Sequence, residues 1–140
     1  MRRLAFLVAV VLALTACGGS SSSKASNDEA QIKSAYEKFF SSKTSLSDRV
    51  ALLENGEQFK AVVSSFAKNP LASKTSAKVS SVTLQGANKA TVVYVVTFGG
   101  ASLPKQTGTA VRQNGTWKVG DASLCKLIAL GGTTPSACKP

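Results

Sequence analysis

No histidine occurs in the 140 residues. That single absence removes the Ser-His and Cys-His nucleophile pairs and the commonest transition-metal ligand together. Acids are scarce as well, with 7 Asp and Glu against 17 Lys and Arg. Glu54 and Glu57 are three apart and able to share a helical face, but Gly56 between them breaks such a helix, so they read as capping or solvent-facing carboxylates rather than an acid/base pair. Aromatics make up only 6% and are not interleaved with the basic residues, which argues against nucleic acid as a partner. Gly99-Gly100 and Gly131-Gly132 lack the lysine and the helix context of a phosphate loop and read as turns. No apolar run is long enough for a transmembrane helix. These absences lead to the expectation of a non-enzymatic protein with no metal and no cofactor.

Hydrophobic residues at 44% and charged residues at 17% provide enough apolar material for a packed core, and the length suits one domain plus a tail. The net charge is +10, and +8 once Arg2 and Arg3 are set aside. The remaining lysines, such as Lys33, Lys60, Lys89 and Lys118, are scattered rather than clustered. They read as a solvated basic surface, with weak attraction to anionic lipids or envelope polymers as the functional alternative.

Arg2-Arg3 followed by eleven uncharged residues, 4–14, have the form of a secretory leader, too short to span a bilayer. The leader ends in Leu14-Thr15-Ala16-Cys17, which resembles a bacterial lipobox: an aliphatic residue, two small residues, then the cysteine whose sulfur is alkylated by a diacylglyceryl group. The expected mature protein is therefore a lipoprotein carrying palmitate-type acyl chains on Cys17 and anchored to the outer face of the cell membrane. Two or more chains make such anchoring stable. Residues 1–16 are then the leader and 17–28 a tether rich in glycine and serine, spanning roughly 18 Å as a random coil. Residues 29–140 are the single domain.

Within that domain Ile32, Ala35, Tyr36, Phe39 and Phe40 fall at i, i+3, i+4, i+7 and i+8, which predicts an amphipathic helix starting near Asn27 or Asp28. Ser45 offers a second helix N-terminus, with Val50, Leu52 and Leu53 continuing to Asn55-Gly56. Phe59, Val62, Val63 and Phe66 mark a third helix, stopped by Asn69-Pro70. Period-two patterns then predict strands over 78–84, 90–98, 106–113 and 116–121. Both faces of 90–98 are apolar, so this strand is expected at the sheet centre. Asn114-Gly115 favours a type I′ hairpin turn. Helices first and a meandering antiparallel sheet afterwards give an α+β class, the helices on one face of a curved sheet.

Arg49-Val50-Ala51-Leu52-Leu53-Glu54-Asn55-Gly56-Glu57, with Gly115-Thr116-Trp117-Lys118-Val119 and Ser123-Leu124-Cys125 further on, resembles the actinobacterial low-molecular-weight secreted antigen family. The similarity spans roughly residues 30 to 130. The resemblance implies a cone of the nuclear-transport-factor-2-like (NTF2-like), or cystatin-like, type. It brings no catalytic residues, because that family is defined by antigenicity and location.

With Cys17 lipidated, Cys125 and Cys138 form an even pair in an oxidising compartment, and a disulfide between them is expected, two free thiols being the alternative. Trp117 reads first as a core anchor. A cone also leaves room between sheet and helices, and Tyr36, Phe40, Phe59, Val63, Tyr94 and Trp117 are candidates to line such a cavity. Three functions follow from this reading. The first is a displayed antigen-like envelope domain, whose protein partner the sequence does not name. The second is a carrier for a small apolar ligand or a lipid or cell-wall precursor, and the weakest is a degenerate isomerase or dehydratase.

Overall fold

The computed structural model describes residues 20–139. The leader and Cys17 lie outside the described residues. Among those described, no helix is long and apolar enough to cross a membrane.

Helix α1 spans Ser20–Phe40 and buries Ile32, Ala35, Tyr36 and Phe39 along one stripe, the 3.6-residue pattern made physical. It starts ahead of the expected Asn27 or Asp28. Residues 20–28, read from sequence as part of a flexible tether, are helical because the serines, Lys24 and Ala25 include no helix breaker. Asp28, itself buried, ties that turn to the sheet through an ion pair with Arg112 (Nη2 to Oδ1, 2.6 Å). Residues 22–27 upstream stay mostly exposed.

Helix α2 covers Leu46–Ala51. Ser45 caps it as expected, its Oγ accepting the Asp48 amide at 3.1 Å and donating to Asp48 Oδ2 at 2.7 Å. Beyond it Leu53 forms an isolated parallel bridge to Val119, which covers the sheet edge there. Asn55 takes the left-handed conformation (φ 51°), and Gly56 follows at a position where a Cβ would lie 1.9 Å from the Val50 carbonyl oxygen. Only glycine fits that close approach. A 3-10 turn, Gly56–Phe59, leads into α3, Lys60–Ala67. Asn69 then caps a further 3-10 turn, Pro70–Lys74, by accepting the Leu71 amide at 2.9 Å.

The sheet follows: β1 Ser76–Leu84, β2 Lys89–Phe98, the two-residue β3 Ala101–Ser102, β4 Gln106–Gln113 and β5 Thr116–Val119. Its order is β1-β2-β4-β5, all antiparallel, with β3 paired to the end of β2. It curls into a half-barrel against the helices, an α+β cone-like fold. Strand β2 is central, with Ala90, Val92, Tyr94 and Val96 buried and the alternate residues half-buried. Asn114 and Gly115 both have positive φ (53° and 78°) in the two-residue β4–β5 turn that the sequence predicted.

The last strand is shorter than expected. It stops at Val119, where Gly120 turns back with its amide on the Thr109 carbonyl at 2.8 Å. A fourth helix that sequence reading missed, α4 Asp121–Leu130, then packs against β4. Cys125 on α4 is disulfide-bonded to Cys138 in a terminal 3-10 turn, Ser136–Cys138, which fastens the C-terminal segment as anticipated.

Candidate functional site

Four helices and the far end of β2 leave a groove of about 370 Å³ at one end of the cone. Phe39 and Phe40 from the last turn of α1, Val63 and Phe66 from α3, and Val96 and Phe98 from β2 form its floor and one side. Leu124, Leu127, Ile128 and Leu130 from α4 form the other, and Ala72, Leu103, Gly131 and Thr133 rim it. Phe66 and Phe98 meet edge to face at 6.5 Å, and Phe40 stacks on Tyr94 at 5.8 Å, so the aromatic walls are braced from behind. Phe66, Leu103 and Leu130 are 42%, 36% and 61% exposed, large apolar side chains left to water around one opening. A contiguous apolar surface of this kind marks a binding site more often than scattered exposed leucines do.

The lining holds one charge. Arg49 of α2 donates through Nη2 to the Ser41 carbonyl at 2.7 Å and the Thr44 carbonyl at 3.3 Å. Its Nε is shut off from water and has no partner. Desolvation by the surrounding protein pulls its pKa below the usual arginine range. The ion pairs among the described residues are elsewhere, Lys60 with Glu57 on the surface and Arg112 with Asp28.

Residues 25–135 match the family model described as the C-terminal domain of the low molecular weight antigen MTB12. The chain belongs to this family. The segments whose resemblance pointed there, 49–57, 115–119 and 123–125, all fall inside the match, which begins within α1. No curated protein matches the chain.

In this MTB12-type domain the groove is not where the aromatics suggested. Of the six expected lining residues, Phe40 and Val63 do line it. Tyr36, Phe59, Tyr94 and Trp117 do not; they are packed inside the core, each at most 2% exposed. The reason is volume: these aromatics between sheet and helices fill the cone body, so the groove lies beside them and not among them. Tyr36 is held there by its hydroxyl, which donates to the Thr109 carbonyl at 2.5 Å and sits 3.1 Å from Ser123 Oγ. Trp117 lies under the Arg112 guanidinium, 4.7 Å from its centre.

Arg49 and the α4 leucines went unrecognised as site residues. Leu124, Leu127 and Ile128 stand at i, i+3 and i+4, which is a helical stripe, and this spacing was the available signal. Arg49 carried none, because its place depends on how the α1–α2 loop folds beneath it. Glu54 acts as a cap, its Oε2 accepting the Asp121 amide at the start of α4 at 3.2 Å. Burial raises its pKa, the Asp121 amide opposing that rise and the Asp121 carboxylate adding to it. Glu57, by contrast, is exposed beside Lys60. Among the described residues no three His, Cys, Asp or Glu side chains gather where a metal would bind.

Proposed function

We propose that this family domain is a non-enzymatic binding module of the cell envelope, whose end groove takes one small apolar molecule. The groove itself carries the reading. It has the volume of a small-ligand site, hydrocarbon walls, and among its polar lining only Arg49, Thr75, Thr133 and the backbone of Gly131. Neither a carboxylate nor a thiol lines it, and the sequence has no histidine. General acid/base chemistry on a bound substrate therefore has no proton carrier of suitable pKa there. This favours a carrier over an isomerase or dehydratase of the NTF2-like cone type, the fold type to which we assign the half-barrel.

Location follows from the N-terminus. The leader and Leu14-Thr15-Ala16-Cys17 support lipidation at Cys17 and residence on the outer face of the membrane, where the Cys125–Cys138 disulfide is chemically at home. The scattered lysines give the domain a weak attraction to anionic lipid or envelope polymer. Display of the domain at the surface agrees with its antigen family.

Two measurements test the reading. Metabolic labelling with a fatty-acid probe marks the native protein and leaves a Cys17→Ser variant unmarked; an unlabelled native protein rejects the anchor. Titration of the unlipidated Cys17→Ser chain with the neutral apolar dye Nile red gives saturable one-to-one binding. A linear, unsaturable signal rejects the carrier.

A further inference from the structure

The apolar groove contains a cation with no counter-ion, and the two features together describe a ligand. Arg49 is the only charged side chain in the lining. Neither of the ion pairs among the described residues involves it. Its engaged nitrogen is Nη2, which is spent on the Ser41 and Thr44 carbonyls; those bonds hold the guanidinium in place without neutralising it. Nε is shielded from water with no acceptor. Arg49 as a whole is half-buried, so its charge is only partly compensated by water and the two carbonyls, and an incoming anion supplies the missing partner.

We infer that the natural occupant is a single-chain amphiphile with one carboxylate head, its hydrocarbon body in the groove between α3, β2 and α4 and its head group against Arg49. This rests on the binding reading above and narrows it. A carboxylate suits the site better than a phosphate monoester because a single guanidinium, already tied through Nη2, balances one negative charge and has few donors left. The walls beyond Arg49 are hydrocarbon, so a compact polar acid would leave them unfilled. Lys68 and Lys74 lie on neighbouring segments but do not line the groove, leaving Arg49 as the discriminating group.

The test compares three ligands of equal chain length for displacement of Nile red from the full chain carrying Cys17→Ser, so that no attached acyl group competes. Dodecanoate, dodecanol and dodecyltrimethylammonium share the tail and differ only in head charge. The expected order is dodecanoate first by about tenfold or more over dodecanol, the increment of a charge-assisted hydrogen bond in a shielded site, with the cation weakest. From octanoate to dodecanoate each added methylene tightens binding roughly fourfold. Arg49→Gln abolishes the preference for the acid over the alcohol, and Arg49→Lys retains it.

Arg49→Gln also loses the bonds to Ser41 and Thr44, so a second measurement needs no variant. Lowering pH until dodecanoate is protonated removes its advantage over dodecanol in the unaltered site. Equal displacement by acid and alcohol at neutral pH overturns the carboxylate assignment while leaving the apolar site standing. Saturable dye binding that none of the three ligands displaces overturns the assignment too, and absence of saturable dye binding overturns the binding reading itself.

Discussion

Arg112 reaches Asp28 across 84 residues of chain, its Nη2 2.6 Å from the Asp28 Oδ1, with its guanidinium resting 4.7 Å over the ring of Trp117. The three side chains clamp the early turns of α1 onto the β4–β5 hairpin. Trp117 Nε1 makes no hydrogen bond of good geometry, so its pull on the carboxylate is a longer electrostatic one. That indole N–H, followed by the Arg112 guanidinium, holds the Asp28 carboxyl below its ordinary 3.8. A lowered carboxyl pKa contributes stability that is complete above the unfolded value and is lost as pH falls through the folded one. Urea unfolding followed by Trp117 fluorescence should therefore show stability dropping below about pH 4. In Asp28→Asn that part of the acid slope disappears. Parallel acid limbs in the two proteins would remove the clamp from the account.

The Tyr36 hydroxyl joins α1 to both β4 and α4, through the Thr109 carbonyl and Ser123 Oγ. Ser123 Oγ in turn accepts the Thr109 amide at 2.7 Å. Tyr36→Phe keeps the ring and deletes the link, and because the Thr109 carbonyl still accepts the Gly120 amide the cost is that of one hydrogen bond, about 0.5–1.5 kcal/mol. Burial raises the Tyr36 phenol above its ordinary 10 and pushes Tyr94 up to about 12. Raised phenol values mean that stability is present below the unfolded value and is lost as pH climbs past it. A spectrophotometric titration should accordingly find no phenolate near 10 in the folded protein, and ionisation of both tyrosines there would contradict this packing.

Local signals in the chain were sufficient wherever local physics decides. The stripe from Ile32 to Phe40, the Ser45 cap, the two-sided apolar strand through Val92 and Tyr94, and the Asn114-Gly115 turn each depend on neighbours within a few residues, and each was readable. The Cys125–Cys138 pair was readable from compartment and parity. Helix α4 was not, because the strand pattern through Trp117 and Val119 was carried on to Asp121, past the point where Gly120 turns the chain. The groove was least legible of all. It is assembled from Phe40, Phe66, Phe98 and Ile128, side chains far apart in sequence, and empty space depends on which aromatics fill the core first. Residue type alone therefore favoured Tyr36, Phe59, Tyr94 and Trp117, which are large enough to fill the cone and so leave it solid.

The disulfide should matter to the groove as well as to stability. Leu127, Ile128, Leu130, Gly131 and Thr133 line the opening and all lie between Cys125 and Cys138, which are 13 residues apart. Closing a loop of this length stabilises by about 3 kcal/mol on the chain-entropy model. Reduction, or Cys125→Ser with Cys138→Ser, is expected to lower the unfolding free energy by that amount, read as a lower urea midpoint, and to weaken Nile red binding as one wall loosens. Retained dye affinity after reduction would show that α4 holds the wall unaided.

Ala72 gives the most direct handle on the groove. It is half-buried, lines the opening from the 3-10 turn Pro70–Lys74, and its amide bonds the Asn69 carbonyl at 2.9 Å, a contact that any non-proline residue keeps. Ala72→Trp puts an indole into a space of about 370 Å³ without displacing a core side chain. Added apolar contact in an already empty volume favours the folded state, so thermal unfolding should be unchanged or slightly raised, while saturable dye binding is lost. An enlarged residue that unfolds the protein would mean the groove is smaller in solution than its walls imply. Undiminished dye binding in a folded Ala72→Trp would put the apolar site elsewhere on the surface and sever Arg49 from any ligand.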